Sequence, residues 1–210
     1  MIGPETAISF FGIAILLALS PGPDNVFVLT LSATQGRRAG LMVVLGLCTG
    51  LVGHTLAVTA GLAALFATSA AAFMVVKLLG AGYLFYLGIQ ALRAPPASRH
   101  APAQAAPLSA RVLYRRGIIM NLSNPKVSLF FLAFLPQFTR PEAGNPGWQS
   151  IQLGVLFMLA TLIVFGGLAW FAGLIGGYLR RRPATEGMLN RIAGVVFVGL
   201  ALRLAFSQRG

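Results

Sequence analysis

The sequence predicts an all-α integral membrane protein: six transmembrane helices arranged as a 3+3 inverted repeat, with helices one and four broken. Three observations carry this. The 210 residues are 57% hydrophobic and only 10% charged, with a mean hydropathy of +0.80, which exceeds the apolar share of an ordinary soluble domain. Stretches 39–76 and 143–179 contain no Asp, Glu, Lys or Arg, and a span takes about 20 apolar residues to cross roughly 30 Å of hydrocarbon. Two oily segments are interrupted by helix breakers, "SPGPDN" at 20–25 and "SNPK" at 123–126.

Cutting the chain at charges and turn residues places the spans at 6–32, 39–66, 71–92, 115–138, 149–178 and 187–206. The first twenty residues carry Glu5 as their one charge, with no basic n-region and no small-residue cleavage site, so they read as a retained first span. Connections one, three and five then hold Arg37 and Arg38; Arg93, Arg99, Arg111, Arg115 and Arg116; and Arg180, Arg181 and Arg182. The opposite side holds Arg140, Arg203 and Arg209, while Lys77 and Arg191 fall just inside spans three and six. By the positive-inside rule the ten face the cytoplasm and both termini lie outside. The net charge of +12 is therefore a topology signal, and its placement between spans excludes nucleic-acid binding.

The third connection, rich in proline and alanine, is too poor in large apolar residues to build a core and reads as a cytoplasmic linker over 93–114. It separates half one (1–92) from half two (115–210) within a single transporter domain. Three spans per half is odd, so the halves enter the membrane from opposite sides and any repeat is inverted. Their third helices share a spacing: Lys77, Gly80, Tyr83 against Arg191, Gly194, Phe197.

Proline removes a backbone N–H and frees carbonyls that find no water in lipid. Such backbone persists only where protein or a cavity satisfies it. Pro21, Gly22 and Pro23 in span one, and Asn124 and Pro125 in span four, bring two interrupted helices together near the bilayer midplane, the layout of a transporter's substrate site. Beside them Asp24 could hold an ammonium group or a proton, or merely cap the helix that follows. Lys126 could hold a carboxylate, or instead snorkel toward the cytoplasmic face. Asn25 and Asn124 add neutral donors and acceptors. This set suits the zwitterion of an α-amino acid.

His54, alone among small residues of span two, is either a hydrogen-bonded packing residue or part of a proton relay, so Asp24 and His54 are the candidates for proton coupling. Cys48 and His54 lie six residues apart, about 240° around a helix axis. No metal site follows, and no cofactor is expected. As the single cysteine, Cys48 forms no internal disulfide and is read as a packing residue. Gly46, Gly50 and Gly53 in span two, with Gly80 and Gly82 in span three, read as close helix packing, with a dimer face as the alternative.

The run "SPGPDNVFVLTLSATQGRRAGLMVVLGLCTGLVGHTLAV", continuing into "KLLGAGYLFYLGIQALR" and later "NLSNPKVSLFFLAFLPQF", resembles the lysine exporter and homoserine/threonine efflux family (LysE/RhtB type) over nearly the whole chain. Pro21, Gly22, Pro23, Asn124, Pro125 and Lys126 match that family's motifs, whereas Asp24 stands where many members have asparagine. The resemblance implies an amino-acid exporter of the bacterial inner membrane, driven by proton exchange and forming a homodimer. Its expected partners are amino-acid substrate, protons and the lipid bilayer.

Two other classes compete. A membrane-embedded enzyme needs a nucleophile and base or a carboxylate pair, and Asp24 is the one intramembrane carboxylate. A passive channel for small polar solutes predicts transport without saturable binding. Nothing resembles a nucleotide-binding loop.

Overall fold

The structure, a computed structural model, describes residues 1–20, 22–62, 70–93, 108–172, 174 and 183–206. Pro21, linker residues 94–107, the far ends of spans two and five, Arg180 to Arg182 and Arg209 lie outside these described residues. Every regular element among them is helical. Helices α1 (Pro4–Leu19) and α2 (Pro23–Gln35) flank the first break. Next comes α3 (Arg37–Ala57), closing in a π-turn over Val58–Leu62, and then α4 (Ala70–Arg93). In the second half, α5 (Ala110–Leu122) and α6 (Pro125–Leu129) flank the second break, and α6 runs on through a π-turn (Phe130–Phe134) into a 3-10 turn (Leu135–Phe138). A short 3-10 turn (Pro141–Ala143), α7 (Pro146–Trp170) and α8 (Pro183–Phe206) complete the chain.

The breaks fall where the prolines demanded them. Helix α1 meets α2 at 63°, and α5 meets the segment from Pro125 to Phe138 at 49°. Arg37–Ala60 and Pro146–Trp170 are long and apolar enough to cross a bilayer alone, and each bent pair qualifies when taken as one span. Between α2 and α3 the connection is Gly36 alone, at φ 86°, a left-handed conformation that a side chain would strain. Arg37 therefore opens α3 rather than lying in a loop.

Glycines set the helix crossings. A methyl group on Gly46 would stand 2.9 Å from the Gly117 Cα, and one on Gly117 equally close to the Gly46 Cα, so α3 and α5 touch backbone to backbone. Gly50 faces Asn121 and Gly53 faces Leu122 along the same seam, so these two helices run parallel. Gly88 and Gly194 make the corresponding contact between α4 and α8, and Gly80 approaches Leu204, so that pair is antiparallel. Gly154 packs on Thr55 where α7 crosses α3. The glycine row of span two is thus an internal seam. Gly82 is exposed with nothing within 4 Å, and takes no part in packing.

Two apolar clusters form around these crossings. Phe10, Phe130, Phe131, Phe134 and Phe157 centre the first, and Val43, Leu47, Leu113 and Phe165 the second, with partly buried Cys48 packed against it. Ile2 N–H donates to Gln152 Oε1 at 3.1 Å on one face; on the other, Leu108 N–H donates to Gln35 Oε1 at 3.1 Å and the Arg37 guanidinium lies 4.3 Å over the Trp170 ring. This places Arg37 and the end of the linker together, at the end of the bundle opposite the N-terminal residues.

Candidate functional site

The two breaks meet, and side chains from each satisfy the loose backbone of the other. Helix α1 ends with carbonyls that have no next turn to bond. Leu16 O accepts from Ser20 N–H, Ala18 O accepts from Asn25 Nδ2 at 2.7 Å, and Leu17 O and Ser20 O both accept from Lys126 Nζ, at 3.3 and 3.2 Å. Lys126 comes from the far side of the second break. It is buried, at 7% exposure, which removes the snorkelling reading.

Asn124 is the hinge between halves. Its Oδ1 accepts from Lys126 N–H at 3.0 Å, capping α6, while its Nδ2 donates to Asp24 Oδ2 at 2.6 Å. Asp24 sits in the first turn of α2, where the helix dipole favours a negative charge. It does not cap that helix: Gly22 occupies the cap position and no side-chain capping bond forms. The capping alternative for Asp24 therefore falls, and its carboxyl group is committed to the opposite half of the molecule.

Asp24 and Lys126 line one cavity of about 20 Å³, together with Leu17, Leu47, Asn121, Phe157, Thr161 and Phe165 among others. No direct ion pair joins the two among the described residues. Gly22 lies against Lys126: a methyl group there would stand 3.3 Å from Lys126 Nζ and press on the ammonium. Of the residues singled out from sequence, Asp24, Asn25, Asn124 and Lys126 converge through hydrogen bonds, Gly22, Pro23 and Pro125 form the backbone around them, and Pro21 lies outside the described residues.

His54 stands apart. Its Nε2 lies 3.2 Å from Asn121 O, and since a carbonyl only accepts, the nitrogen carries the proton. Its ring packs 5.5 Å from Phe131. The histidine thus closes off the carbonyl end of α5, as Lys126 does for α1, and does not line the Asp24 cavity.

Sequence reasoning missed Asn121 and Thr161. Asn121 is buried with Oδ1 unpartnered, and Thr161 is buried at the cavity wall. Thr161 is a lone polar residue in an apolar stretch of α7, and Asn121 lies at the end of α5 just before the second break; both signals were available, but apolar residues lie on exposed as well as buried faces and do not reveal which face turns inward.

A second cavity of about 450 Å³ is lined by Ile2, Glu5, Thr6, Phe138, Arg140 and Gln149 among others. Between it and the Asp24 cavity stands a cluster of phenylalanines packed edge-on or tilted: Phe10 lies 5.2 Å from Phe138 and 6.5 Å from Phe157, and Phe130 5.3 Å from Phe157. Phe130 and Phe138 belong to the π and 3-10 backbone after α6, while Phe10 comes from α1 and Phe157 from α7.

Buried polar groups gathered at two facing helix breaks, in an otherwise apolar bundle, mark a multi-pass membrane translocator rather than an enzyme. Residues 15–208 match the family model described as LysE type translocator, and the chain belongs to that family. It is 37% identical to a homoserine/homoserine lactone efflux protein of Salmonella typhimurium, over 92% of each chain. It is 34% identical to an uncharacterized membrane protein of Vibrio cholerae, over 93% of this chain and 94% of that one, and 32% identical to another of Pseudomonas aeruginosa, over 91% and 90%. No solved structure matches.

Proposed function

We propose that the protein is a secondary transporter exporting amino acids from the cytoplasm across the inner membrane in exchange for protons, with homoserine or its lactone as first candidates. The observation that carries this reading is the cavity shared by the Asp24 carboxyl and the Lys126 ammonium at the meeting of the two breaks. The substrate's ammonium is drawn toward Asp24 and its carboxylate toward Lys126, with Asn25 and Asn124 alongside and Pro21, Gly22, Pro23 and Pro125 shaping the backbone. Asn121 Oδ1 and Thr161 offer partners to a short oxygen-bearing side chain. The relatives named for homoserine efflux support that choice.

A cavity of about 20 Å³ holds roughly one water, whereas small-molecule sites reach about 300 Å³ or more. Loading therefore requires the breaks to part. The phenylalanine cluster closes the route to the larger cavity, which fits a carrier shut on one side while it fills from the other. Helix pairings support the inverted repeat: α3 packs on α5 as α1 packs on α7, each pair combining one half's first helix with the other's second, and α4 pairs with α8.

Inverted membrane vesicles from cells overproducing the protein test the function. Labelled homoserine is expected to accumulate when the vesicle interior is made acidic, and an equal rate with and without the pH gradient rules out proton exchange. The halves, the cytoplasmic linker and the external termini are tested in a Cys48-free background. Ser207→Cys should react with an impermeant thiol reagent in whole cells and Ser98→Cys should not; the reverse pattern overturns the orientation.

A further inference from the structure

Lys126 is an ammonium group at bilayer depth whose hydrogen-bond acceptors are two backbone carbonyls, Leu17 O and Ser20 O. A lysine in such a place needs a reason, because buried charges are rare without a charged partner. Asp24 attracts the ammonium across the shared cavity but makes no hydrogen bond to it: Asp24 Oδ2 accepts from Asn124, and no direct ion pair joins Asp24 to Lys126 among the described residues. What the carbonyl pair receives is a primary ammonium with N–H donors pointing outward from a chain, the same chemical group that an α-amino acid presents. The lysine tip also borders the cavity itself, which has no room for an amino acid while that tip stands there.

From this geometry we infer that the Leu17 and Ser20 carbonyls, beside the Asp24 carboxylate that attracts the charge, are the hydrogen-bond acceptors of the substrate's ammonium subsite, and that Lys126 is an internal stand-in occupying it in the empty carrier. This rests on the export reading and deepens it. On loading, the substrate's ammonium replaces Lys126 Nζ on the two carbonyls, and the freed lysine turns to the substrate carboxylate. On release, the lysine swings back. Each state of the carrier then crosses with the carbonyls of the broken α1 satisfied, loaded by substrate and empty by Lys126. Glycine at position 22 leaves the Nζ position free, whereas a methyl group there would stand 3.3 Å from it.

The stand-in role separates two transport modes. Exchange of internal for external amino acid needs only the loaded carrier to cross; net export also needs the empty one to return. In proteoliposomes, Lys126→Gln is therefore expected to slow homoserine–homoserine exchange, since the carboxylate partner is lost, and to lower net efflux at least about tenfold further than exchange, the population of a return-competent empty state being the additional loss. Lys126→Ala, which vacates the subsite, should regain net efflux when n-butylammonium is added, and not with tetramethylammonium, which has no N–H to donate. A folded glutamine variant that loses both modes equally, or keeps both, overturns the proposal.

A measurement on the parent guards against variants that fail to insert. With ¹⁵Nζ-lysine and ¹³C-carbonyl leucine and serine, in a Lys77→Gln background, solid-state NMR should show the Lys126 Nζ close to carbonyl carbon, and the contact should vanish at saturating homoserine. A contact that persists unchanged overturns the stand-in. Failure of the export reading shows separately, as a parent that moves no homoserine in either mode, and takes this inference with it.

Discussion

Asp24→Asn is expected to leave the protein folded and able to move homoserine down a concentration gradient, but unable to accumulate it against one. The substitution is nearly isosteric, and the new Oδ1 still accepts from Asn124 Nδ2, so the link between the breaks survives as a neutral hydrogen bond in place of a charge-assisted one. The loss in stability should be about 1 kcal/mol. What the amide cannot do is gain and lose a proton. For one proton exchanged per amino acid, a one-unit pH gradient sustains about tenfold accumulation, since each unit corresponds to about 1.4 kcal/mol. In inverted vesicles the parent should approach that ratio and the variant should equilibrate at unity. An Asn variant that follows the imposed gradient as the parent does removes Asp24 from the coupling step. His54 would then be the next group to replace, even though its Nε2 is engaged with Asn121 O away from the cavity.

How far this site could be read from the chain depended on where its chemistry resides. The breaks were legible because Pro21, Pro23 and Pro125 alter the backbone whatever surrounds them, and the glycine seam because Gly46 and Gly50 repeat at helical spacing. Charged residues in apolar runs drew attention to Asp24 and Lys126 for the same reason. The partners of Lys126 were not legible: they are main-chain oxygens of Leu17 and Ser20, which no residue type advertises and which become acceptors only because α1 stops there. Asn121 and Thr161 escaped for a different cause. Helix α5 buries the stripe Leu113, Gly117 and Asn121 while Val112, Ile119 and Leu122 stay exposed, and α7 leaves Val155, Leu159 and Ile163 exposed, so apolar side chains mark the lipid-facing surface as readily as the packed one and do not tell which face turns inward. The phenylalanine cluster joins Phe10 of α1 and Phe157 of α7 to rings of the π and 3-10 turns after α6, whose departure from α-helical spacing no regular periodicity anticipates.

The largest effect on stability should come from Asn124, because it makes a different bond to each half. Its Oδ1 caps α6 through Lys126 N–H and its Nδ2 supplies the hydrogen bond to Asp24. Asn124→Leu removes both, leaving a buried carboxyl group short of its donor, a loss of about 1–3 kcal/mol, together with about 1 kcal/mol for the cap. Asn124→Asp keeps the cap, since aspartate serves there equally well, but sets two carboxyl oxygens against each other where a donor and an acceptor stood, so it too should be destabilised by about 2 kcal/mol. The informative variant is the exchange, Asp24→Asn combined with Asn124→Asp. The amide now on α2 then donates to the carboxylate now at the second break, the hydrogen bond is rebuilt with its direction reversed, and that carboxylate still accepts from Lys126 N–H. Residues in direct contact couple, and the double-mutant cycle should show at least about 1 kcal/mol of recovery over the summed single effects. The carboxyl group also stays inside the same bonded pair at the cavity, so proton-driven accumulation should return with the fold. Thermal unfolding in detergent and accumulation in inverted vesicles read the two parts separately. If the exchanged protein is no more stable than the single effects add up to, Asp24 and Asn124 do not hold the halves together. If it is stable but no longer accumulates homoserine, the proton must be carried by a carboxyl group fixed to α2 itself.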